Sequence, residues 1–167
     1  MPSRTRLLVV AILVLALPLT VLLAGPTPQP ADGDTIAVTA VDTSGDTRAT
    51  VTAAVAETPT ERTVGLSNTE SLAPNEGMLF VYSSERRPRF VMRDMDFGLD
   101  IVFVDANGTI TAIHHAPAAD DHTTYTGRAK WVLEVPYGWS DRHDVSVGDR
   151  IRIDTAAEER TDANDGA

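Results

Sequence analysis

Cysteine is absent from the 167 residues, and that absence removes disulfides, thiolate metal ligands, a cysteine nucleophile and a lipidated cysteine anchor together. A domain built from this chain holds together by its apolar core alone. Lysine is nearly absent as well, with Lys130 the single example. Almost all positive charge is therefore arginine, and 14 basic residues face 24 acidic ones for a formal net charge of -10. That balance argues against nucleic acid as a partner, because phosphate backbones reward Lys and Arg. Two explanations of the acidity stand side by side. One is a high-salt organism, whose ions screen the self-repulsion of a highly charged surface; the other is a GC-rich genome, which favours Arg and Asp codons. A glycine-rich phosphate loop is missing, and Ser83, Ser84 and Ser140 lack a Gly-x-Ser-x-Gly setting, so nothing supports phosphate-loop or serine-nucleophile chemistry.

What is present begins with an uncharged run, LLVVAILVLALPLTVLLA at residues 7–24, about the length that spans a hydrocarbon core. Arg4 and Arg6 precede it and no acidic residue appears before Asp32. By the positive-inside rule this is a membrane anchor, residues 1–24, with everything after Gly25 extracytoplasmic. The alternative is a cleaved signal peptide and a secreted product; a site after Ala24 would place Leu22 where a small residue is preferred. Residues 25–34 carry three prolines and no apolar periodicity, the composition of a stiff spacer. Residues 155–167 are small, acidic and without bulky apolar side chains, which describes a disordered tail.

Between these ends, residues 35–154 hold room for one domain. Short β-type runs at 35–41, 48–55, 78–82, 89–92, 99–105, 109–114, 130–135 and 150–153 are separated by turn residues. The Asp42-Thr43-Ser44-Gly45-Asp46 and Ala106-Asn107-Gly108 segments read as hairpin loops, the second because Asn-Gly accepts the positive φ that such turns require. Thr58-Pro59-Thr60-Glu61 is a capping box with proline at the first helical position. A second helical turn is expected near Trp139 to His143. The expected fold is mainly β with one or two short helices (α+β), a small barrel-like or strongly bent antiparallel sheet preceded by the transmembrane helix.

Six blocks carry a resemblance. ERTVGLSN at 61–68, EGMLFVY at 76–82, RFVM at 89–92, GLDIVFVDANGTI at 98–110, WVLEVPYGW at 131–139 and VSVGDRIRI at 145–153 resemble, in order and spacing, the DUF192 family. The resemblance implies a compact β-barrel-like domain, often exported, in a family without an established activity.

Three polar residues inside these blocks need partners. Asp100 lies within an apolar run, Glu134 lies in WVLEV, and Arg62 sits on the capped helix among apolar neighbours. One guanidinium fork can satisfy two carboxylates, so Arg62 is expected to pair with Asp100, Glu134 or both, as a structural tie or as the floor of a ligand cleft edged by Met92 and Phe90. Trp139, beside Gly138 and Pro136, is a candidate exposed stacking platform. The reading is of a binding or accessory module without catalysis, tethered to the membrane, whose partner is a small ligand or another envelope protein. The alternative is a metal-binding protein, a metallochaperone or metal-dependent hydrolase. It would hold zinc through His114 or His115 with His122, or copper through Met92 and Met95. Adjacent His114 and His115 on a strand point to opposite faces, so only one of them could join His122.

Overall fold

A computed structural model describes residues 34–93, 95–118 and 123–154. The expected anchor, spacer and tail fall outside these residues, apart from Asp34; among the described residues no helix is long and apolar enough to cross a membrane.

Nine strands and two short helices follow one another as β1 (Thr35–Val41), β2 (Thr47–Ala56), α1 (Pro59–Val64), β3 (Glu76–Arg86), β4 (Arg89–Phe90), β5 (Leu99–Val104), β6 (Ile110–Ala116), β7 (Tyr125–Thr126), β8 (Ala129–Pro136), α2 (Trp139–Arg142) and β9 (Arg150–Asp154). Every apolar run read as a strand is one, at least in part. Only β7 had no signal, being two residues long.

Seven strands form one sheet in the order β6-β5-β8-β3-β2-β1-β9, and β4 pairs with β7 in a two-stranded ribbon. The sheet is not wholly antiparallel as expected. β2 and β3 run parallel, because the chain returns through α1 between them and so enters β3 in the direction in which it entered β2. The capping box works in both directions at that crossover: Glu61 N donates to Thr58 Oγ1 at 3.2 Å, and Thr58 N donates to Glu61 Oε2 at 2.9 Å.

The sheet bends until its outer strands meet, but it does not close into a barrel. Among the described residues the two edges share a single β-bridge, Thr109 with Arg150, with Ile110 N donating to Asp149 O and Ile151 N donating to Gly108 O beside it, each at 2.8 Å. The antiparallel register carries β9 past the β5–β6 turn rather than along β6. The free edge of β6 is covered instead by the 126–128 segment, where Thr111 Oγ1 donates to Arg128 O at 2.6 Å.

Both faces of the sheet are apolar. The first carries Val38, Val51, Leu79, Val102, Val104, Leu133 and Val135 and is closed by Trp139, Val145 and Ile151. The second carries Phe80, Leu99, Ile101, Phe103 and Val132 and is covered by Leu66, Met92, Met95 and Tyr125. β5 is buried at all six positions, so its sequence reads as a near-continuous apolar run instead of an alternation. Trp139 is 1 % exposed, which corrects its reading as an exposed platform: α2 turns its ring inward to cap the first core.

Candidate functional site

Successive strand residues point to opposite faces, and that rule separates the two carboxylates expected to share a guanidinium. In β5, Leu99, Ile101 and Phe103 belong to the second core while Val102 and Val104 belong to the first, so Asp100 faces the first. In β8, Leu133 and Val135 face the first core and Val132 the second, so Glu134 faces the second. The register agrees: Glu134 stands opposite Met78 in β3 and Ile101 in β5. A sheet lies between the two acids, and no single arginine reaches both.

Asp100 is fully buried and has no arginine. His115 donates from Nδ1 to Oδ1 at 2.8 Å, and Gly138 N reaches the same oxygen at 2.9 Å. Ser140 donates its backbone N–H at 2.8 Å and its hydroxyl at 2.5 Å to Oδ2. A carboxylate only accepts, so His115 Nδ1 must carry the proton. The hydrogen bond to Asp100 raises the His115 pKa above 6.5, against the opposing effect of burial. Its stabilisation is therefore complete below the ordinary imidazole value and lost as pH rises through the elevated one. The constellation contains serine, histidine and aspartate in the wrong order for a triad. The aspartate lies between the other two, and the hydroxyl donates to the carboxylate and not to the imidazole.

Arg62 pairs with neither acid. Its Nη1 donates to the carbonyls of Glu57 and Val81, the latter at 3.0 Å, and its guanidinium lies 5.0 Å from the Tyr82 ring centroid. The arginine holds α1 to β3 through backbone, on the second face. Phe90 and Met92 are on that face too: Phe90 meets Phe80 and Phe103 edge to face at 4.9 and 5.8 Å, and Met92 is core at 1 % exposure. Met95 is buried beside it.

Glu134 is the exception among buried acids. Asp105 accepts from Asn107 N, Thr109 N and Arg128, and Asp149 accepts from Ser146 N. Glu134, only 6 % exposed, makes no hydrogen bond or ion pair with any described residue. Burial pushes its carboxyl up to about 8. Every side-chain nitrogen or oxygen sealed from solvent among the described residues has a partner. The unpartnered Glu134 oxygens are therefore the part of the residue that solvent reaches. Gly77 lies inside β3 against this strand. A Cβ there would stand 2.6 Å from the Glu134 carbonyl oxygen, so the close approach of β3 to β8 requires glycine.

The Tyr82 phenol lies in the field of Glu134. Its own burial raises its pKa, the Arg62 and Arg86 guanidiniums oppose the rise, and Glu134 adds to it. Of the expected cleft, Arg62, Glu134, Met92 and Phe90 share one face, and Asp100 does not. Tyr82, not among the residues expected to form the cleft, shares it with them. Its position four residues after Met78 on the same strand was the available signal.

His114 and His115 point to opposite faces, as the alternation requires. His114 Nε2 donates to Thr126 O at 3.0 Å, with its ring between those of Phe103 and Tyr125. His122 lies outside the described residues. Among the described residues no group of three or more His, Asp or Glu side chains is placed to hold a metal ion.

Comparison with known proteins completes the description. The family model described as DUF192, Uncharacterized ACR, matches residues 40–153. A search of curated proteins finds no match. A crystal structure described as a candidate transcription regulator from Sinorhizobium meliloti 1021 is similar at 28% identity with a TM-score of 0.69, over 75% of this chain and 98% of that one. A protein of unknown function from Novosphingobium aromaticivorans DSM 12444 is similar at 28% identity with a TM-score of 0.68, over 78% of this chain and 94% of that one.

Proposed function

This chain belongs to the DUF192 family, and from that premise we propose that its β domain is a non-catalytic ligand-binding module whose site is a recess over Glu134, carried outside the cytoplasm on an N-terminal anchor. One observation carries the first part. Glu134 is nine-tenths buried, reaches solvent and has no partner among the described residues, whereas each of the other buried acids accepts at least one hydrogen bond. An unpaired buried acid is costly to a fold, and groups retained at such a cost concentrate where a ligand supplies the missing contacts. The Ser140 hydroxyl, which donates to the buried Asp100 carboxylate and not to a histidine, supports the non-catalytic reading.

The Met78 methyl group, cross-strand from Glu134, is a reporter for the recess. In full-length protein labelled at methionine methyls, a solute that fills the site is expected to shift the Met78 resonance in the wild type and to lose that effect in Glu134→Gln. Small-solute libraries that leave Met78 unmoved, or move it equally in both proteins, would overturn the reading.

The anchor rests on the uncharged run at residues 7–24 behind Arg4 and Arg6. Protease added to cells with a permeabilised outer barrier but an intact cytoplasmic membrane is expected to digest the β domain. A domain protected until that membrane is broken would place it in the cytoplasm.

A further inference from the structure

Although the chain carries a net charge of -10, only two arginines among the described residues meet a carboxylate. Arg48 lies 3.0 Å from Asp42, and Arg128 lies 3.3 Å from Glu85 and 3.2 Å from Asp105. The others, Arg62 and Arg86 among them, have no carboxylate within ion-pair distance among the described residues. Two of these close on one ring. Arg62 stands 5.0 Å and Arg86 5.2 Å from the Tyr82 centroid. Tyr82 itself packs, with Met78, on the second core. Arg62 is positioned by the backbone carbonyls of Glu57 and Val81 through Nη1 alone, which leaves Nη2 and Nε of a fixed fork without a protein acceptor among the described residues.

We propose that the Arg62–Tyr82–Arg86 stack is an oxyanion site, taking the carboxylate or phosphate group of a small solute whose remainder enters the Glu134 recess. The assignment rests on the recess reading and names its ligand class. Two guanidiniums and a phenol offer donors, and planar guanidinium forks fit the paired oxygens of either anion. With its proton on, Glu134 is a further donor and adds no negative charge. A polyanion is a poor fit, because beyond this patch it would meet a strongly acidic surface. The site therefore selects one small anionic group rather than a phosphate backbone.

Calorimetric titration of the full-length chain in detergent with inorganic phosphate and, separately, with propionate tests this. One saturable site is expected, weakened on the order of tenfold in Arg86→Ala, the loss of one charged hydrogen bond. Arg86 is exposed, so this variant should melt with the wild type. Propionate affinity is expected to fall as pH rises through about 8, because Glu134 then ionises among the groups that share its field, Tyr82, Arg62 and Arg86. Binding of phosphate alone would identify the solute as a phosphate compound, and binding of propionate alone as a carboxylate; each supports the site. Silence toward both anions, or equal binding in Arg86→Ala, would overturn it. If both anions are silent while another solute shifts Met78 in a Glu134-dependent way, the anion assignment fails and the recess stands. Silence toward every solute overturns both.

Discussion

Asp100→Ala is expected to lower stability by about 3–5 kcal/mol, the range for removing one member of a buried charged network. In a domain of this size that corresponds to a drop in melting temperature on the order of 15 °C. The side chain is fully buried and accepts four hydrogen bonds, two from Ser140 and one each from Gly138 and His115. Removing it strands the donors of Ser140 and Gly138 where water does not reach them easily, and it detaches α2 from β5. Since Trp139 of α2 caps the first core, the damage spreads into packing. Asp100→Asn keeps the shape but points an amide donor at other donors, so it too should destabilise. It should also return the His115 pKa toward 6.5, its ordinary value. Thermal melts measure the first effect, and imidazole titration by NMR the second. A variant that melts with the wild type would show that α2 does not depend on this carboxylate.

Glu134→Gln should do the opposite, and its effect should grow with pH. The carboxyl titrates at about 8 in the folded protein against 4.5 for the free side chain. For an acid whose folded pKa is raised, the folded state holds a proton that the unfolded state has released. Stability is therefore undiminished below about 4.5 and falls as pH climbs toward 8. The slope is at most about 1.4 kcal/mol per pH unit, so the full loss above pH 8 is about 4–5 kcal/mol. Glutamine is nearly isosteric with the protonated acid and does not ionise. The two proteins should then be equally stable near pH 4.5, and the variant should gain progressively up to pH 8 and hold its advantage beyond. Urea unfolding of both proteins across that range checks it. A difference independent of pH would mean that Glu134 is not buried as a neutral acid.

The two acids show how far the sequence could be read. Both were recognisable as polar residues inside apolar runs, and the hairpins, the capping box at Thr58 and the helical turn at Trp139 were all written in local signals. What could not be read was which face each acid occupies. That depends on the register of β5 against β8, which sets Asp100 opposite Val135 and Glu134 opposite Ile101 and so sends the two acids to opposite faces. The partner of Asp100 depends in addition on a bulge. Counting outward from the Asn107-Gly108 turn with no irregularity sets Asp100 opposite His114. The pairing shifts between Phe103 and Val104, leaving Thr111 as the extra residue, and His115 takes the place opposite Asp100. A one-residue slip exchanges faces, so the bulge selects His115 and not His114 for this carboxylate. The parallel β2–β3 pair was likewise invisible, since both strands look alike in either orientation and only the crossover through α1 decides between them. Trp139 was misjudged because Gly138 and Pro136 marked a turn without indicating that the turn folds inward.

The first strand of the sheet is paired with its last: Val38 lies opposite Ile153, and Thr39 opposite Arg152. Chain synthesis delivers these two strands at opposite ends of the domain's schedule. Until residues 150–154 emerge, β1 has one vacant edge and the first core lacks Ile151, so the nascent domain exposes an open strand that can recruit a neighbouring chain. Contacts so distant in sequence are also the slowest to form. Completion of this fold therefore waits for β9, and the interval before β9 docks is when the domain is most open to aggregation and to proteases.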